Sequence, residues 1–300
     1  MKKRVFAGLL AVLLFVAGCA TRRDQEVLVV GLLPDIDSVP FAVAYLRGYF
    51  DESIELQVFM GPTFRDSALF GGVLDASISD AMAVALARNG GFDAFLTFMT
   101  NGRKGILTMD DEIRTAADLE GREVGMSLGT IIDYIVDRAV IAHGGDPYAV
   151  EKVSVPAIAS RLELLVNRQI CAIAVPDPFV AAAVARGARV VADSYEMGIA
   201  PEVILMTRNA LENKQDQVWT LIQGYNRAVA FINANEPSAF MPGVIDFLAL
   251  PDEAMYVALP LYNEATAPCE YEVLAAIDWL LMRGMIDEPF TYEDLLWPLW

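Results

Sequence analysis

Apolar residues fall along this chain in short runs, each ended by a polar break and followed by a stretch whose apolar positions recur three and four apart. The first such unit runs from Glu26 to Glu52. Val27 to Leu33 is a β-branched run that breaks at Pro34 into the polar loop Asp35-Ile36-Asp37-Ser38, and Val39 to Tyr49 then carries helical spacing. An unbroken apolar strand, a breaker and a helix are the sequence form of a βα unit in a parallel sheet covered on both faces. Ser38 is the expected helix N-cap, with Pro40 in the first turn, where a missing N–H costs nothing. In open α/β sheets small ligands dock where the carboxyl end of a strand meets the start of the next helix. This loop is therefore the first expected wall of a site.

The pattern repeats. Ile54 to Met60 reads as a strand, Gly61-Pro62-Thr63 as a turn in which Thr63 caps a helix to Phe70, and Gly71-Gly72 as its stop. Asp75 to Asp80 is a short strand before the helix Ala81 to Asn89, and Phe95 to Thr100 and Gly105 to Met109 are further strands. The polar stretch Asp110 to Gly121 reads as a passage into a second half. There Val124 to Ser127 is a strand, Leu128-Gly129-Thr130 a turn and Ile131 to His143 a helix. Strands at Val153 to Val155, Cys171 to Val175 and Ala188 to Ala192 alternate with helices Ile158 to Asn167 and Pro178 to Arg186. Pro201 to Thr207 reads as the return, and the remainder is largely helical, at Gln215 to Asn235, Ser238 to Leu248 and Cys269 to Arg283. One echo stands out: Leu74 to Asp80 before an Ala-rich helix is matched in outline by Ile170 to Asp177 before another. Each half thus sends a strand toward one place and ends it near a carboxylate, Asp80 in one and Asp177 in the other.

A hydrophobic fraction of 55% with 21% charged residues excludes disorder as the main state and suits buried parallel strands. The 300 residues make one large domain or two lobes. The net charge of −18 excludes nucleic-acid partners. Lys2-Lys3-Arg4 followed by the apolar run Val5 to Ala17, too short to span a bilayer, predicts a signal peptide over residues 1–18. Val16-Ala17-Gly18-Cys19 resembles a bacterial lipobox, so Cys19 is the expected lipidation site and 19–26 a tether. Cys171 and Cys269 are too few for a disulfide framework.

The loop D-S-x-P-F at Asp37 to Phe41, the helix after it, Gly48-Tyr49-Phe50 with its acidic turn, and the phrase Thr115 to Gly125 resemble extracytoplasmic solute-binding proteins of ABC importers. The nearest branch is the one with sulfonate-, taurine-, nitrate- and thiamin-pyrimidine-binding members. The resemblance implies a two-lobed α/β fold of the type II periplasmic binding protein kind, with mixed sheets flanked by helices and two inter-lobe crossings near Met109 and near Ile204. Lobe 1 is then 27–109 plus 205–300, and lobe 2 is 110–204. It also implies a monomer that captures a small-molecule ligand outside the cytoplasm, held to a bacterial membrane by its N-terminal lipid, and delivers it to an ABC permease. The resemblance places the C-terminal helices on lobe 1 and the Asp177 loop at the cleft.

The residues give catalysis no support. The one histidine, His143, sits at a helix end, where the macrodipole accounts for it. No cysteine or histidine cluster holds a metal, and no P-loop, dinucleotide fingerprint or nucleophile elbow occurs, so no metal and no cofactor is expected. A cytosolic enzyme on the same scaffold, acting on pyrimidine or quinone precursors, is the reading of another class. The expected ligand contacts are Asp37, Asp80 and Asp177 at strand ends; Ser38 and Thr63 in the turns; Asn101; the anion-suited turn Ser127, Gly129, Thr130; the aromatics Phe41, Tyr134 and Phe179; and the cation Arg161. Taken singly, each also fits a cap, a core position or a surface ion pair, and their shared location carries the expectation. The acidic set and the aromatics lean toward a nitrogen-rich ring such as a pyrimidine or flavin precursor, whereas Ser127 to Thr130 suits a sulfonate, taurine or nitrate.

Overall fold

The structure is a computed structural model and describes residues 27–299; the expected signal peptide, Cys19 and the tether up to Glu26 lie outside the described residues. The strands are β1 (Leu28–Leu32), β2 (Ile54–Val58), β3 (Ala76–Asp80), β4 (Ala94–Met99), β5 (Lys104–Thr108), β6 (Glu123–Met126), β7 (Glu151–Ser154), β8 (Ala172–Pro176), β9 (Arg189–Asp193) and β10 (Glu202–Thr207). The helices are α1 (Val39–Leu46), α2 (Pro62–Phe70), α3 (Ala81–Asn89), α4 (Ile131–Ala142), α5 (Ile158–Val166), α6 (Phe179–Ala185), α7 (Ser194–Met197), α8 (Arg208–Asn213), α9 (Gln215–Ala234), α10 (Met241–Leu248), α11 (Glu270–Met282) and α12 (Tyr292–Leu295).

The strands form two five-stranded mixed sheets, ordered β2-β1-β3-β10-β4 and β7-β6-β8-β5-β9. The two orders are one order with the halves exchanged. In each sheet β-α-β units supply parallel neighbours, and the single antiparallel strand, β10 or β5, arrives from the other half of the chain. Details follow the same correspondence. Val30 and Gly31 pair with Ala76 and Ser77 as Val124 and Gly125 pair with Ala172 and Ile173. Both glycines sit under a matching side chain: a Cβ on Gly31 would lie 2.6 Å from Leu74 Cδ1, and one on Gly125 3.0 Å from Ile170 Cδ1. The echo between the stretches at 74–80 and 170–177 is thus the matched pair β3 and β8. In register, however, Asp80 faces Glu202 while Pro176 faces Lys104, so the counterpart of Asp80 is Pro176, and Asp177 lies one residue beyond.

This pairing moves both expected crossings. The strand Lys104–Thr108 lies between β8 and β9, so the chain leaves the first sheet at 100–103 and not near Met109. Glu202–Thr207 lies between β3 and β4, so the return is at 194–201 and not near Ile204. An apolar run carries the same pattern in either sheet, and only the partner strands decide where it belongs.

Helices α9 and α10 pack on α1 over the first sheet, burying Leu221, Tyr225, Val229, Met241 and Val244 in one core. Helices α5 and α6 cover the second sheet with Ile158, Leu162, Leu165 and Val180. A third core joins the lobes: α3, α4 and α11 bury Met82, Ala85, Ile135, Val136, Val140, Ala276, Ile277 and Leu280 together. The aromatic tail closes the edge of β4, where Trp297 N donates to Leu96 O (2.9 Å) and its ring meets Phe95 edge-on at 5.1 Å. Covering an edge strand in this way removes a template for unwanted pairing.

Candidate ligand site between the two sheets

The carboxyl ends of β3 and β8 and the amino ends of the antiparallel strands β5 and β10 converge on one cavity of about 40 Å³. It holds only a few water-sized groups, because the lobes are drawn together over it. Three hydrogen bonds donated by backbone N–H groups cross the cleft, each 3.0 Å long: Ile36 N to Asp177 O, Ile158 N to Met60 O, and Ile131 N to Asp80 Oδ2. The third lets one carboxylate serve two helices, since Asp80 Oδ1 also accepts from Ala83 N (2.9 Å) at the start of α3. Burial, partly offset by these two N–H groups, raises its pKa.

One side of the cavity is cationic. Arg161 is fully buried and spends its fork on neutral acceptors: Nε donates to Val155 O (2.8 Å), Nη1 to Ala174 O (2.9 Å), and Nη2 to Ser127 Oγ and Pro156 O. Among the described residues no carboxylate pairs with it. Desolvation alone lowers its pKa to about 9, which leaves it protonated at neutral pH. Its counterpart is Arg65, the fourth residue of α2 as Arg161 is the fourth of α5. Arg65 Nη1 donates to Ile78 O on β3, the position equivalent to Ala174 on β8, but Arg65 also pairs with Asp66 at 2.7 Å. The residue after Arg161 is Leu162, so the second arginine has no such neighbour.

The other side is acidic. Lys104 Nζ lies 2.6 Å from Asp37 Oδ2 and 2.8 Å from Glu202 Oε1, all three side chains being at most 5% exposed. Burial pulls the lysine pKa down, but Asp37, Glu202 and Asp35 outweigh it and the net shift is upward. Burial first, then the Asp37 charge, lifts Asp35 to about 6. Burial lifts Glu202 to about 8 against the attraction of Lys104.

The structure brings Asp37, Asp80, Thr130 and Arg161 to this cavity and sets Ser127 behind Arg161. Other expected contacts fall elsewhere. Ser38 binds the Leu33 carbonyl (2.6 Å) and makes no cap bond, because a 3-10 turn capped by Asp35 runs straight into α1. Thr63 is exposed inside α2, which starts at Pro62 after Gly61. Phe41 packs on Tyr225 (5.0 Å), Tyr134 meets Trp279 (5.6 Å), and Phe179 lies in the second-lobe core. Each aromatic follows a strand-end loop by a few residues and turns back into a core, which the spacing alone did not distinguish from turning outward. Gly129, at φ +69, donates to Asp133 (2.9 Å), so this part of the anion-suited turn is internally satisfied. Asn101 bonds Leu261 O (3.1 Å). Asp177 sits 3.6 Å from Arg103 and touches the site through its backbone. Sequence reasoning missed Asp35, Arg65, Lys104 and Glu202; the register of β5 against β8 and of β10 against β3 is what makes the last two visible.

These buried acids set the pH response. A carboxyl whose pKa is raised on folding stabilises the fold below its unfolded pKa, and that stability is lost as pH rises through the folded value. With Asp35 at about 6 and Glu202 at about 8, and Asp80 and Asp177 also raised, stability should fall between about pH 4 and pH 8. The urea midpoint of the unliganded protein is expected to be higher at pH 5 than at pH 8. An increase over that window would contradict the assignment.

The chain belongs to the NMT1-like family, whose model matches residues 22–244. Comparison with curated proteins finds no match. Among solved structures, the alkanesulfonate-binding protein SsuA from Xanthomonas axonopodis pv. citri, bound to MOPS, matches with a TM-score of 0.78 at 17% identity, over 91% of this chain and 98% of its own. The periplasmic nitrate-binding protein NrtA from Synechocystis PCC 6803 matches with a TM-score of 0.74 at 13% identity, over 87% and 82%. The desulfurization enzyme DSZB matches with a TM-score of 0.63 at 18% identity, over 91% and 97%. The fold is that of the two-lobed periplasmic binding proteins, mixed α/β as the sequence led one to expect.

Proposed function

We propose that this protein is the solute-binding component of an ABC importer of the sulfonate/nitrate type, trapping a small acidic solute between its lobes and presenting it to a membrane permease from a lipid anchor on Cys19. The observation that carries the reading is Arg161, a buried guanidinium with no carboxylate paired to it among the described residues, at a cavity whose walls come from both halves of the chain. An uncompensated buried charge is costly, and a bound anion removes that cost. A ligand touching both lobes also favours the closed form over an open one. The leaning toward a flat nitrogen-rich ring loses its stacking partners, since Phe41, Tyr134 and Phe179 are in the cores.

A second reading, an enzyme on the same fold, is favoured by the DSZB likeness. Among the described residues the cavity is lined by neither histidine nor cysteine, which supports capture without turnover. The test is a thermal-shift panel of alkanesulfonates, nitrate, pyrimidines and amino acids, in which a ligand raises the melting temperature by mass action. Each hit is then recovered and analysed. A panel without hits, or a hit returned as product, refutes the binding-protein reading.

A further inference from the structure

We propose that the ligand is dipolar: its acidic group neutralises Arg161, and a protonated nitrogen sits against the buried carboxylates of Glu202 and Asp37. This rests on the solute-binding reading above and narrows it.

Lys104 and Glu202 occupy the same register position in the two sheets, opposite Pro176 and Asp80 respectively, and meet where the halves of the site adjoin. The lysine is the ammonium of that cluster; it donates hydrogen bonds to Asp37 Oδ2 (2.6 Å) and Gly102 O (3.3 Å) and stands in ion-pair range of Glu202 Oε1 (2.8 Å). Both carboxyl oxygens of Glu202 and Asp37 Oδ1 are buried and have no hydrogen-bond partner among the described residues. A buried acceptor without a donor is costly and rare in a finished protein. Asp35 adds a third carboxylate beside them, lining the same cavity. The cavity therefore carries an excess cation at Arg161 and excess acceptors at Glu202 and Asp37. A plain oxyanion such as nitrate or an alkanesulfonate satisfies the first and leaves the second orphaned. A protonated nitrogen supplies the missing donors and a compensating charge.

Calorimetry at pH 7 with three probes of one chain length separates the cases: 3-aminopropanesulfonate, propanesulfonate and propylamine. The expected result is at least tenfold tighter binding of the amino-sulfonate than of either single-headed probe, with Glu202→Gln and Asp37→Asn narrowing that gap. A second readout does not depend on the variants folding. Because burial lifts Glu202 to about 8, a cation beside it returns it to the ionised form. The amino-sulfonate should then release protons, measured as a dependence of the heat on buffer ionisation enthalpy, while propanesulfonate should not. Propanesulfonate binding as tightly as the amino-sulfonate, or binding of the amino-sulfonate without proton release, overturns the dipolar assignment and leaves the importer reading standing. If none of the three binds, the assignment also falls, and the wider panel judges the importer reading separately.

Discussion

Replacing Arg161 with methionine is expected to weaken ligand binding by two orders of magnitude or more while costing the unliganded protein less stability than the same change at Arg65. The lost affinity corresponds to about 2.7 kcal/mol or more, the range in which truncating one member of a buried charge pair falls. The stability forecast comes from two opposed terms. Four hydrogen bonds from the guanidinium disappear, and each acceptor left without its donor costs about 1–3 kcal/mol. Against that, the desolvation cost of an uncompensated buried ion, several kcal/mol, is relieved. The equivalent change at Arg65 should behave differently, because Arg65 is paired with the half-buried Asp66. Loss of Arg65 relieves no uncompensated ion and leaves both Asp66 and Ile78 O without their donor, so Arg65→Met should lower the urea midpoint clearly. If Arg161→Met binds the wild-type ligand normally, or destabilises as much as Arg65→Met, the two arginines are not divided between ligand and fold as argued.

Gly61→Ala is expected to hold the lobes apart. In the closed structure a Cβ at this position would lie 1.9 Å from Pro156 O across the cleft, so the backbones must separate by more than an ångström. Gly61 has φ 177, extended backbone that alanine adopts freely, and its own lobe should fold as before. The neighbouring cross-cleft bond from Ile158 N to Met60 O would be lost with closure. A binding-competent state that is less populated raises the apparent Kd in proportion. A ten- to hundredfold loss of affinity, about 1.4–2.7 kcal/mol, should accompany a larger radius of gyration in scattering with ligand present. Wild-type affinity together with an unchanged scattering profile would show that closure at this point is irrelevant to binding.

Much of the architecture was readable because strand and helix periods alternate cleanly from Val27 onward, and because the stretch after Leu74 is echoed after Ile170. What the pattern could not specify was partnership. Lys104–Thr108 and Glu202–Thr207 are buried throughout or nearly so, and such strands carry no alternation to mark which sheet receives them. The same blindness hid Lys104 and Glu202, each the first residue of its strand and meaningful only once the two are opposed. Arg65 had a detectable signal: it stands 96 residues before Arg161, the same interval that separates Leu74 from Ile170. The aromatic expectations failed for a different reason. Phe41, Tyr134 and Phe179 lie on helices that cover a core, and a helix near a strand end offers its apolar side chains to packing before it offers them to a visitor.

The trading of β5 and β10 between sheets has a consequence for how the molecule can be cut. A fragment ending in the loop near 111 would carry β1 to β5, yet its own sheet would lack the antiparallel strand between β3 and β4, and it would hold a spare that fits only the other piece. Neither fragment is a self-sufficient folding unit, but each is a template for the other. Co-expressed as two polypeptides, they should interlock into a complex with both sheets complete, much as subunits do that have exchanged arms.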